Sequence, residues 1–138
     1  MIDVESMVFD SVYNAISTSA YNNTEMTSDY DTIPSSFPCV AIYETDNQTY
    51  QKTQDDVLKE HHARVIYEVN VYSNKPGTKK SEAKAIMDIV DNTLQNIKFT
   101  RTFRNVVPNA DKTIYRIVAR YEAVIAEKNG DIYQVYRK

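Results

Sequence analysis

"HARVIYEVNVYSNKPGTKKSEAKAIMDIV", residues 62–90, decides the fold because its periodicity changes halfway. Over residues 62–72, Ala63, Val65, Tyr67, Val69 and Val71 fall on one side and Arg64, Ile66, Glu68, Asn70 and Tyr72 on the other. That is the two-residue repeat of a strand covered on one face. Beyond Pro76-Gly77 the repeat lengthens: Ala83, Ile86, Met87, Val90, Leu94 and Ile97 form one stripe, which predicts an amphipathic helix lying on a sheet. Thr78 or Ser81 is placed to cap that helix.

The joint between the two has the flavour of a phosphate loop, a strand followed by a turn and a lysine-rich helix start. A nucleotide cradle needs G-x-x-x-x-G-K-[ST], whose glycines let backbone N–H groups approach the phosphates. With Lys80-Ser81 set on the K-[ST] end, Asn74 and Lys79 occupy both glycine places, so the loop fails as a cradle. Lysines 75, 79, 80 and 84 oppose the helix dipole unless an acid faces them, which predicts a basic patch turned to solvent or to a neighbouring subunit.

Further out the same two periodicities recur. "TIYRIVARYEAVIAE" (113–127) alternates Tyr115, Ile117, Ala119, Tyr121, Ala123 and Ile125 against Arg116, Val118, Arg120, Glu122 and Val124. Asn129-Gly130 then predicts a type I′ turn, so residues 113–137 read as a C-terminal hairpin. "FTRTFRNVV" (99–107) reads as a strand closed by Pro108-Asn109. "FPCVAIYETDN" (37–47) reads as a short strand, with Pro38 at its start or on an edge and Asp46-Asn47 stopping it. Val4, Met7, Val8, Val12 and Ile16 predict a first helix from Asp3, its N-cap, to Ile16. Residues 17–36 and 46–60 are polar and turn-rich, and read as surface connections. The expected order is α-β-β-α-β-β-β. Residues 1–138 form a single α+β domain, with a mainly antiparallel sheet of four to five strands and two helices packed on one face.

Composition agrees with a folded globular chain: 138 residues, 42% hydrophobic, 25% charged, two glycines and four prolines. No run of eighteen apolar residues and no basic n-region appear, so neither a membrane span nor a secretory leader is expected. Eleven of the fifteen aromatics are tyrosines, which suits half-wet contact surfaces. Residues 1–60 hold eleven acids and two bases, whereas residues 61–138 hold eight acids and fourteen bases. Either the halves make acidic and basic patches, through which copies can meet head to tail, or they intermix in the fold.

Nothing in the sequence assembles a catalytic, cofactor or metal set. His61 and His62 point to opposite faces of a strand and cannot easily share a metal. Cys39, ahead of the apolar Val40-Ala41-Ile42, reads as a buried inert thiol. Glu44 and Asp46 share a face at a strand end without a pocket or matched partner, and read as edge acids. Arg101, Arg104, Arg116 and Arg120 on strands raise a nucleic-acid-binding module as an alternative, but a pI of about 5.4 opposes phosphate-driven binding.

Residues 37–47, 71–94 and 99–125 taken together resemble the tail terminator, or tail completion, proteins of bacteriophages of Gram-positive hosts and of phage-tail-like bacteriocins. The likeness rests on Pro38, Glu44 and Asn47, on Tyr72, Ser73, Asn74, Lys75, Lys80 and the Ala83–Ile86 turn, and on Phe99, Arg101, Pro108, Asn109, Asp111, Thr113, Arg116 and Tyr121. It implies a non-enzymatic virion assembly protein, made in the host bacterial cytoplasm and carried in the tail. As a ring, hexameric in the family, it would cap the head-proximal end of the tail tube, end the growth of tube and any sheath, and present a surface to the neck. Its implied partners are further copies of itself, the tail tube protein and a neck or head-completion protein, with no small-molecule substrate, membrane or direct nucleic-acid recognition. A head–tail connector or neck joining protein shares the ring habit and is the alternative within the class. On this reading subunit contacts fall on Lys75, Lys79, Lys80, Arg116, Arg120 and Glu122, and tube contacts on Asp46, Asn47, Tyr50 and Lys52.

Overall fold

Helix α1 (Glu5–Ser17) forms where Val8, Val12 and Ile16 recur a turn apart, and all three are buried. Val4 occupies the cap position, and the Asp3 carboxylate accepts the Glu5 N–H at 3.0 Å, so the acid serves the helix start from one residue further upstream. In the computed structural model, residues 2–29, 34–49, 62–108, 111–128 and 131–136 are described.

The remaining elements are β1 (Glu25–Thr27), β2 (Cys39–Thr49), β3 (His62–Ser73), α2 (Lys79–Asn96), β4 (Thr100–Val106), β5 (Tyr115–Lys128) and β6 (Asp131–Tyr136). The α+β class, the two helices and the mainly antiparallel sheet are as the sequence predicts. The sheet has six strands rather than the four to five expected, in the order β1-β2-β3-β5-β4, with β6 also paired to β5. β3 pairs with Tyr115–Ala126 along one edge of β5, while β4 pairs with Ile117–Glu122 and β6 with Val124–Lys128. β4 and β6 therefore lie end to end on the other edge; β6 pairs antiparallel with β5 as expected of the hairpin, whose Asn129-Gly130 turn lies outside the described residues.

Two expectations are corrected. Residues 17–36 are not all connection: Glu25-Met26-Thr27 adds a short strand parallel to Cys39–Ala41, with the Glu25 N–H donating to the Pro38 carbonyl at 3.0 Å. Three residues are too few for a period, and this strand exists because the edge of β2 offers it partners. Nor do Asp46 and Asn47 stop β2. A bulge between Glu44 and Asp46 absorbs one extra residue, and the ladder continues from Asp46↔Ile66 to Thr49↔Ala63. The Asn47 amide donates to the Ile2 carbonyl at 2.8 Å and to Glu44 Oε1 at 3.3 Å, so a side chain that favours turns is satisfied inside a strand.

One hydrophobic cluster holds the layers together. It takes Val8, Val12 and Ile16 from α1, Ile86, Met87, Val90 and Leu94 from α2, and the inward faces of β2, β3 and β5. At the joint Gly77 takes φ +79°, and the buried Ser73 hydroxyl donates to Glu82 Oε1 at 2.7 Å, tying the strand end to the first turn of α2. At the far end Lys98 takes φ 75° and the Phe99 N–H donates to the Leu94 carbonyl at 2.9 Å. That turn drops Phe99 into the core, edge-on to Tyr67 at 5.8 Å. Among the described residues no helix is long and apolar enough to cross a membrane.

Candidate functional site

The face of the sheet turned away from the helices carries Arg116, Arg120 and Glu122, three of the charged residues singled out from sequence. Strand register sets them in rows. Tyr43, Glu68, Arg120 and Phe103 stand directly opposite one another across β2, β3, β5 and β4. Glu68 binds both ways along this row: its Oε2 accepts the Tyr43 hydroxyl, and its Oε1 accepts Arg120 Nε at 3.1 Å. The Arg120 guanidinium also lies over the Phe103 ring, 5.9 Å from its centroid.

Asn70, 1% exposed, is the hub of this face. Its Oδ1 accepts Nε and Nη2 of Arg116 at 2.9 and 2.8 Å, and its Nδ2 donates to the Tyr43 hydroxyl and Glu68 Oε2, both at 3.2 Å. Arg116 in turn lies 5.4 Å above the Tyr72 ring. Arg64 Nη2 meets Glu122 Oε2 at 2.8 Å one diagonal along the sheet. Arg116, Arg120 and Glu122 are thus brought onto one face, as expected, and each is engaged by residues of the same chain.

The electrostatics follow from this pairing. Burial opposes the charge on Glu68, but the donors Tyr43, Asn70 and Arg120 outweigh it and hold the carboxyl below its usual range. Burial, then the neighbouring Glu68, pushes the Tyr43 hydroxyl up to about 12. Burial, then Glu25, pushes the Cys39 thiol up to about 11, so it stays neutral near pH 7 and is a poor nucleophile. On the helix side Tyr67 donates to Glu44 Oε1 at 3.2 Å. Tyr121 donates to Asp91 Oδ1 at 2.7 Å, the same oxygen that Arg101 pairs with at 2.9 Å. Both tyrosine hydroxyls are raised well above their ordinary value, burial first and the facing carboxylate second.

At the strand-to-helix joint the lysines separate. Lys79 Nζ donates to the Lys112 carbonyl at 2.9 Å and anchors the turn before β5, whereas Lys75 and Lys80 are exposed. Of the expected tube contacts, Asp46 accepts Gln48 Nε2 at 2.8 Å and Asn47 is turned inward on Ile2 and Glu44. Tyr50 and Lys52 lie outside the described residues. Asn70 was not singled out from sequence, where it reads only as one member of the polar face, because neighbouring strands create its burial.

Among the described residues no group of three His, Cys, Asp or Glu is arranged to hold a metal. No family model matches the chain, and no curated protein matches it.

Proposed function

We propose that this chain is a structural subunit of a phage tail or phage-tail-like particle, a terminator that forms a ring on the head-proximal end of the tail tube. The observation that carries this reading is that the three resembling stretches come together in one body. Residues 37–47 lie mostly in β2, residues 71–94 run from the end of β3 through the joint into α2, and residues 99–125 span β4 and β5. In support, the open face spends its charges on a rigid internal network. A subunit that acts by presenting a fixed surface needs such a network, and its specificity is then one of shape and charge placement. Asp46, just past the bulge in β2, and Lys75 and Lys80 at the joint remain the groups assigned to tube and neighbour contact.

The test is assembly of the tail tube protein of the same tail with and without this chain, viewed by electron microscopy. Tubes should grow without limit alone and be capped at one end when the chain is added. Tubes that stay uncapped and of unchanged length, while the chain is instead captured by a neck or connector protein, would transfer it to the head–tail joint.

A further inference from the structure

Among the described residues four large apolar side chains stand out in solvent: Met7, Tyr13, Phe103 and Val106, each 36% to 52% exposed. They fall into two groups on opposite sides of the molecule. Met7 and Tyr13 are on α1, which packs on β2 and α2; Phe103 and Val106 are on β4, at the far end of the sheet order, Phe103 on the open face beside Arg120 and Val106 on the helix side opposite Ile117.

Each group is set in charge mainly of one sign, Arg101 on β4 being paired with Asp91. On α1 the residues turned from the core place Asp10 between Met7 and Tyr13, and the Phe9 ring stacks along Tyr13 at 6.5 Å. No lysine or arginine occurs before Lys52, and Asp3, Glu5 and Asp10 line an open cleft of about 260 Å³ beside Phe9. From Ile97 to Pro108, by contrast, the chain carries Lys98, Arg101 and Arg104 and no acid. A second open cleft of about 260 Å³ at the end of β4 is lined by Val106, Val107, Pro108 and Ile114 together with Lys112 and Arg116.

β4 also has room for a neighbour. It pairs with β5 along one edge, and among the described residues no strand lies on the other. Arg104 and Val106 stand opposite Ala119 and Ile117, whose side chains face the helix layer, yet both are exposed. α2 reaches β4 through Asp91 and Arg101 but leaves Arg104 and Val106 uncovered. Among the described residues neither Arg104 nor Asp10 makes an ion pair.

We infer that the acidic outer face of α1 in one copy docks on the helix-side face of the basic edge strand β4 of the next, with Met7 and Tyr13 against Val106 and Asp10 against Arg104. The two patches match in both apolar content and charge. They differ from each other, so each docking leaves one free surface of each kind, and association propagates until it closes into a ring or runs on as a filament. This inference rests on the self-association in the reading above. It moves the subunit contact from the paired charges of the open face to the two ends of the molecule.

The test uses the full chain, followed by sedimentation velocity and native mass spectrometry over a range of concentration at low and high salt. Arg104→Glu or Asp10→Lys should each weaken association by about tenfold or more, and the two together should restore much of it. These positions are exposed, so folding is not at stake. Mixing Tyr13→Cys with Val106→Cys chains should give a disulfide-linked dimer that neither variant gives alone. Assemblies indifferent to both charge reversals, with no mixed disulfide, overturn the surface assignment and leave the ring reading untouched. A wild-type chain that stays monomeric at every concentration and salt also overturns it, whereas tube capping alone decides the terminator reading.

Discussion

Asn70→Ala tests whether the open face is a built network or a solvated surface. Asn70 is fully buried and makes four contacts there: two from Arg116 at 2.9 and 2.8 Å, and two at 3.2 Å to Tyr43 and Glu68. The longer pair costs little to lose, because Tyr43 and Glu68 remain bonded to each other. The Arg116 pair is charge-assisted, and a hydrogen bond to a charged group contributes roughly 1.5–3 kcal/mol when its partner is buried. Arg116 can recover part of this from water, which puts the loss near the lower end; a small cavity adds to it. The expected destabilisation is about 2–3 kcal/mol, a fall in Tm of roughly 6–15 °C for a domain of this size. Denaturant unfolding followed by far-UV circular dichroism and tyrosine fluorescence measures it. Arg116→Ala strands the Asn70 carbonyl and should cost about 1–2 kcal/mol, and the double variant should fall short of the sum by about 1 kcal/mol or more. A single variant within about 0.5 kcal/mol of wild type, or strict additivity, would refute the hub.

Stability against pH should separate two carboxylates of opposite sign. Glu68 is held below the usual range, so its contribution is present above about pH 4–5, is lost as pH falls through its folded value, and disappears from the acid limb of unfolding in Glu68→Gln. Glu44 is raised, by burial first and by Asp3 and Glu5 beyond the relief from Tyr67 and Asn47. Its cost sets in as pH rises through the folded value, so Glu44→Gln should gain stability at pH 7 and lose that gain in acid; urea midpoints across pH decide both, and parallel curves would refute them. Ser73→Ala breaks the buried bond to Glu82 at the joint and should cost about 1–2 kcal/mol by denaturant unfolding, an unchanged midpoint counting against it. Phe99→Ala empties a core site against Tyr67 and should cost about 3–5 kcal/mol; a thermal midpoint close to wild type would show that Phe99 is not where the fold places it.

What could be read in the sequence was what depends on near neighbours along the chain. The alternation of Ala63 to Val71 and of Ile117 to Ile125 named the buried faces of β3 and β5, and the stripe Ala83 to Leu94 named the inward face of α2. What depends on neighbours across the sheet could not be read. Asp46-Asn47 carries turn propensity, but a full-length partner in β3 and a bulge override it. Glu25–Thr27 is a strand only because β2 lies beside it. Arg116, Arg120 and Glu122 were placed together on one strand face without their partners, because those partners, Asn70, Glu68 and Arg64 on β3, lie 46, 52 and 58 residues away in sequence.

Pairing also decides which charges are available to a neighbour. A partner that recruited Arg120 would first have to separate it from Glu68 and from the Phe103 ring, leaving a carboxylate that is 13% exposed without its cation. Stripping the cation from a mostly buried acid costs more than one new surface pair returns. Arg104 and Asp10 carry no such obligation among the described residues, and each sits beside exposed apolar area that binding can bury. On the docking proposed above, the charge asymmetry between the two halves of the chain would act at α1 and β4, where Asp10 and Arg104 face solvent. In the open face the same residue types are consumed in holding three strands in register.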